Sequence, residues 1–158
     1  MKKAQWIQNA YKTTQVNWAR SQQSIMKILS DVGIEQIRFT NLPDRHVLEF
    51  VSKEDGKVPK GVRIVTPLIS KVSADVVKRN KELNVIHRIL FNHLKAKFIA
   101  IASGLTEFEQ EFMAHLIITD KNGNSTTLGE QMLPQYEKHI EGGKGNFLLG
   151  DGSNPPRS

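Results

Sequence analysis

The chain of 158 residues contains no cysteine, which excludes disulfides, cysteine-ligated zinc, iron–sulfur clusters and thiol nucleophiles. Apolar runs extend over only a handful of residues, well short of the roughly 20 that a bilayer-spanning helix needs. Lys2 and Lys3 are followed by no apolar block of signal-peptide length, so a cytoplasmic protein without a membrane partner is expected. No glycine-rich phosphate loop follows a strand pattern, and no Gly-x-Ser-x-Gly elbow occurs. Acidic residues are missing from the first 30 positions altogether.

The charge that is present is unevenly spread. Residues 1–30 hold five bases, residues 61–100 hold eight against Asp75 and Glu82, and residues 101–158 hold eight acids against four bases. The net charge of +6 therefore sits in the front and middle of the chain, the distribution expected of a surface that meets an anion. A solvated surface accounts for the same imbalance. Hydrophobic residues at 39% and charged residues at 24% fit a folded domain rather than a disordered chain.

Hydrophobic spacing predicts an α+β fold with one domain over residues 13–141, preceded by a basic aromatic arm at 1–12 and followed by a flexible tail at 142–158. Thr13–Asn17 reads as a short strand. Ile25, Ile28, Leu29 and Val32 then mark a helix that begins at Arg20 or Ser21, with Ser21 as N-cap and Gly33 as its stop. Three strands follow at Gln36–Thr40, His46–Val51 and Val62–Thr66. Ile37, Phe39, Leu48, Phe50, Val62 and Ile64 face the core in this reading. Short connections favour an antiparallel meander, which places Arg38, Glu49 and Arg63 together on the outer face.

A long helix is predicted from about Ser73 to Ser103, closed by Gly104. Its buried stripe is broad, with rows through Val76, Leu83, Leu90 and Lys97 and through Val77, Asn84, Phe91 and Phe98. Thr106 and Glu109 suggest a capping box for a further helix that runs to His115. Leu116–Thr119 reads as a strand, Lys121–Asn124 as a hairpin turn, and Thr127 with Glu130 as the cap of a C-terminal helix. Pro134 predicts a kink or a restart in that helix.

Lys81, Arg88 and Lys95 recur every seven residues on the long helix, so each lies about 20° from the last. With Lys78 on the flank, the row runs roughly 25 Å at 1.5 Å per residue. Repeated cations on such a line suit a phosphate backbone; a solvated helix face would carry the same residues. Arg38 and Arg63 on the sheet are expected to add phosphate contacts. Trp6 and Tyr11, among lysines, are candidates to stack on bases, whereas Trp18 reads as a core residue of the first helix.

Of the five histidines, His87 and His93 are six apart and do not share a helix face. Glu111 and His115 are four apart but lack a third ligand, so no metal site is expected. Glu107, Glu109 and Glu111 suit the positive end of a helix and need no catalytic role. Neither an enzyme nor a cofactor is expected.

The segments Leu94-Lys95-Ala96-Lys97-Phe98, Gly104, Phe108-Glu109-Gln110-Glu111-Phe112, Ala114-His115-Leu116, Leu128-Gly129-Glu130 and Leu133-Pro134-Gln135 carry a resemblance. They are similar to a family of small uncharacterised proteins of bacteriophages, prophages and some bacterial genomes, over about Thr13 to Leu149. The turn at Lys121–Asn124 is longer than the family's short Asp-Gly turn, and the Trp- and Lys-rich start is particular to this chain. The resemblance implies a mobile genetic element as the setting and carries no activity. Element order adds an analogy alone, with double-stranded-RNA-binding domains and with phage single-strand annealing proteins.

The sequence thus predicts a nucleic-acid-binding accessory protein without sequence preference, serving replication or recombination of phage or mobile-element DNA. Its alternative is a module that docks on a host or phage protein or assembles into a homo-oligomer.

Overall fold

The computed structural model describes residues 9–68 and 75–142. Trp6 and the tail beyond Gly142 lie outside the described residues, as does Ser73, where the long helix was expected to begin. The order is α1 (Trp18–Asp31), β1 (Gln36–Asn41), β2 (Arg45–Ser52), β3 (Lys60–Pro67), α2 (Val76–Ala102), α3 (Phe108–Phe112), a 3₁₀ turn (Met113–His115), β4 (Ile117–Thr119), β5 (Ser125–Thr127) and α4 (Leu128–Gly142). This is the α+β arrangement that the hydrophobic spacing predicts.

Residues 13–17 are a turn and an irregular stretch rather than a strand. Local side chains take the backbone groups that a strand would have shared: the Val16 N–H donates to Thr14 Oγ1 at 3.3 Å, and the Ala19 N–H donates to Asn17 Oδ1 at 2.8 Å. Asn17 is therefore the N-cap, and α1 starts earlier than the pattern around Ile25 suggests. Ser21, expected as the cap, is fully buried inside the helix. At the other end Gly33 adopts φ 81°. Its N–H meets the Ser30 carbonyl at 3.0 Å, and the Ile34 N–H meets that of Leu29 at 2.8 Å. Leu29 and Ile34 are both buried, which completes a Schellman stop with its apolar clasp.

The three strands pair antiparallel in the order β1-β2-β3. Phe39 lies opposite Leu48, which lies opposite Ile64; Ile37, Phe50 and Val62 are aligned in the same way. This inward face packs against Ile25 and Leu29 of α1 and Leu90, Leu94 and Phe98 of α2. Each such fully buried side chain contributes about 1.5–3 kcal/mol. Arg38, Glu49 and Arg63 are cross-strand neighbours on the face opposite the helices, as the alternation predicts.

α2 starts at Val76, where Asp75 Oδ1 accepts the Val77 N–H at 2.9 Å. Its buried stripe is Leu83, His87, Leu90, Leu94 and Phe98, narrower than expected. Val76 and Val77, expected in that stripe, are 72% and 58% exposed. After α2 the cap is one residue later than the sequence suggests: Gln110 Oε1 accepts the Glu107 N–H at 3.1 Å. Only Phe108–Phe112 is α-helical, and the chain tightens into the 3₁₀ turn before β4.

Phe112 inserts into the core with its ring centroid 5.6 Å from Phe50, 5.6 Å from Phe98 and 4.8 Å from Phe108. Lys60 bonds Glu109, and Lys97 Nζ sits 2.9 Å from Glu111 Oε2, so α3 is held to β3 and α2. The capping box at the start of α4 forms as predicted, with the Thr127 N–H on Glu130 Oε2 at 2.9 Å. A Cβ at Gly129 would fall 2.6 Å from the Ala114 carbonyl oxygen; only glycine lets α4 sit this close to the 3₁₀ turn. The helix continues through Pro134 without a restart. No helix among the described residues is long and apolar enough to cross a membrane.

Candidate nucleic-acid interface

Burying Leu83, His87, Leu90, Leu94 and Phe98 toward the sheet turns the seven-residue basic row away from it. Lys78, Lys81 and Lys95 are exposed, and Arg88 is half-buried with its guanidinium carbon 5.0 Å from the Phe91 ring centroid. That stacking holds Arg88 along the helix surface. None of the four forms an ion pair among the described residues. Neighbouring cations of the same helix are structural instead. Arg79 donates to the Leu42 carbonyl at 2.9 Å and the Pro43 carbonyl at 3.3 Å, and Lys97 is tied to Glu111.

Arg38 and Arg63 are not brought to this row. They lie on the open face of the sheet, separated from α2 by the sheet itself, and both are engaged by Glu49. Arg38 Nε stands 2.7 Å from Glu49 Oε2, and Arg63 Nε 2.8 Å from Oε1. The Glu49 side chain is only 13% exposed. Burial raises its pKa, but the bonds from Arg63 and Arg38 outweigh that and hold the carboxyl below its ordinary range. Arg45, which the sequence reading did not single out, joins Arg38 and Arg63 around a basin of about 560 Å³ floored by Val47 and Val65. Its signal was its odd-numbered place in β2, in phase with Glu49. Glu49 and Glu130 also line this basin, so its arginines face acids. Glu49→Gln should cost about 1–2 kcal/mol in urea unfolding, since two charge-assisted bonds lose their carboxylate; an unchanged midpoint would show that the triad carries no stability.

Tyr11 is exposed and adopts φ 58°, a left-handed conformation that is rare for a bulky side chain. Trp18 is half-buried, its ring 5.7 Å from that of His87.

The sequence reading also passed over His46. It is fully buried, as is His87, and their ring centroids are 4.1 Å apart. His87 Nδ1 donates to the Leu83 carbonyl at 2.8 Å, so its Nε2 accepts from the Gln22 amide at 3.0 Å. His46 Nδ1 meets Asn41 Oδ1 at 2.7 Å, while its buried Nε2 has no hydrogen-bond partner among the described residues. Burial, followed by the proximity of His87, lowers the His46 pKa to about 4. Burial also lowers that of His87, against the opposing bond to Leu83. The even-numbered phase of β2 and the Leu83–Leu90 stripe were signals available for both. Among the described residues no group of three or more His, Asp or Glu side chains is arranged to hold a metal, and Glu111 is engaged by Lys97 rather than by His115.

Compared with known proteins, the chain matches no family model, no curated protein and no solved structure.

Proposed function

We propose that the protein binds nucleic acid without sequence preference through the outer row of α2, formed by Lys78, Lys81, Arg88 and Lys95. The observation that carries this reading is that four cations share one helix face with no acid paired to them among the described residues. The sheet arginines, by contrast, are offset by Glu49. Contacts of this kind act on phosphates and position a strand without reading bases. The resemblance to phage and prophage proteins supports a mobile genetic element as the setting; replication or recombination of its DNA in the cytoplasm, with no catalytic step, is the role we propose within it.

Labelled single- and double-stranded oligonucleotides, followed by fluorescence anisotropy over a salt series, test the reading. Replacing Lys81, Arg88 and Lys95 together by Ala should flatten the slope of log K against log salt by about 2 on single strands and nearly 3 on duplex. Unchanged affinity and slope would remove the row from the binding surface.

A second reading is favoured by α4. Its residues Met132, Leu133 and Tyr136 are each more than half exposed, beside Met113, and with Leu128 they line an apolar groove. Such a patch suits a protein partner, either a host or phage protein or a further copy. Size-exclusion with light scattering separates the readings: a defined oligomer that ignores oligonucleotides favours this one.

A further inference from the structure

At the N-terminal end of the basic row the chain preceding α1 turns back over α2. Lys12, Thr13, Thr14 and Gln15 on one side, with Lys81 and Asn84 on the other, enclose a crevice of about 340 Å³. No carboxylate is among its described lining residues. The turn is held by the Lys12 N–H on the Asn9 carbonyl at 3.2 Å and the Thr14 N–H on the Tyr11 carbonyl at 2.9 Å. It is fastened to α2 where the Trp18 N–H donates to Asn84 Oδ1 at 2.7 Å.

These bonds determine what the crevice can offer a ligand. Asn84 uses its carbonyl on Trp18, so its amide N–H groups remain as donors. Thr14 Oγ1 accepts from Val16, which leaves its O–H to donate. Lys12 Nζ rests 3.0 Å from the neutral Asn9 Oδ1 and keeps its whole charge. Lys81 has no ion pair among the described residues. Lys12, Lys81, Thr13, Thr14 and Asn84 thus line one crevice with ammonium, hydroxyl and amide donors and no acid among its described lining residues, a set that recognises a phosphate oxygen rather than a cation or an apolar group.

Tyr11, the residue before Lys12, is exposed and holds φ 58°. Strain of this kind persists where the surrounding structure or a ligand makes use of it. An exposed phenol ring one residue from a phosphate site matches the stacking platform that single-stranded nucleic acids use, which a paired base inside a duplex cannot reach.

We infer that the crevice between residues 12–15 and α2 holds a backbone phosphate of single-stranded nucleic acid, with Tyr11 stacking on an adjoining unpaired base. The inference rests on the nucleic-acid reading above and adds the strand form and the residues that select it. The rest of the row then follows the backbone along α2.

The test compares a labelled 20-mer single strand with its duplex, on the full chain, for the wild type, Lys12→Gln, Tyr11→Asn and the Lys81/Arg88/Lys95 triple variant. Asparagine tolerates positive φ, so Tyr11→Asn removes the ring without adding backbone strain, and its melting temperature should stay level or rise. The wild type should prefer the single strand. Tyr11→Asn should weaken single-strand binding about tenfold, and Lys12→Gln should reduce its salt slope by about 0.7; both variants should lose more on the single strand than on the duplex. Titration of the labelled protein with inorganic phosphate should move the backbone amide signals of residues 12–15 and the Asn84 side-chain amide.

Equal wild-type binding of the two forms, or unchanged single-strand binding by both point variants while the triple variant loses it, overturns the crevice and leaves the row standing. No binding of either form overturns both. Amide shifts with inorganic phosphate alone, when no oligonucleotide binds, would assign the crevice to a free phosphate instead.

Discussion

Lowering the pH from 7 to 5 should cost the protein about 2 kcal/mol through His46 alone. In the folded chain both buried imidazoles are neutral, and the His46 pKa lies at about 4 against an ordinary value near 6.5. The unfolded chain therefore takes up protons first as pH falls. Stability is fully present above about 6.5, declines as pH drops, and for His46 has lost about 3 kcal/mol by the time the folded form titrates near pH 4. His87 acts with the same sign, because burial lowers its pKa too. Protonation would also leave a new N–H on His46 Nε2 without an acceptor among the described residues.

His93 and His115 are lowered by burial and by Lys97 and add to the same trend. His46→Phe isolates the buried pair, since it keeps an aromatic ring next to Phe39, whose ring stacks on His46 at 6.0 Å. Urea unfolding at pH 7, 6 and 5 should show a smaller pH dependence in this variant than in the wild type. Identical slopes would mean that His46 is reached by water and protonated in the folded protein.

Phe112→Ala should cost about 3–5 kcal/mol, the range for deleting a fully buried aromatic ring. Phe112 is entirely buried and meets Phe50 of β2, Phe98 of α2 and Phe108 of α3. It is the most deeply buried of the side chains that join the second half of the chain to the first, which also include Phe108, Glu109 and Glu111. Beyond it the hairpin reaches the sheet through the bridge of Leu116 with Val62 and the Arg63 guanidinium on the Ser125 carbonyl at 3.4 Å, and α4 follows through the Leu128 N–H on the Leu116 carbonyl at 2.8 Å. Amide exchange in the variant should therefore rise first over 108–138 and last in β1–β3 and α1. A loss below 1 kcal/mol would show that the aromatic cluster does not carry this junction.

Alternation in three short runs was sufficient to set the strands, their inward residues and the Arg38–Glu49–Arg63 alignment, because a period of two fixes each side chain's face once pairing is antiparallel. Gly33, Gly104 and the Thr127–Glu130 cap were legible for the same local reason: each satisfies backbone groups within a few residues of itself. The start of α1 was not. Asn17 and Ser21 are equally good caps by composition, and the choice follows from Trp18 bonding Asn84 on another helix. The row on α2 was visible as a seven-residue spacing, but the spacing could not say which of its lysines are free of partners.

The sequence by itself determined the α+β class, the antiparallel meander and the helical face on which the bases fall, all consequences of periodicity along one stretch of chain. Tertiary structure alone decided three further matters. It divided the cations between two sides of the sheet and brought His46 against His87. It also closed the Lys12–Gln15 turn over Lys81 and Asn84. Each depends on which distant elements pack together, and packing of that kind is set by the shape of the whole core rather than by any local pattern.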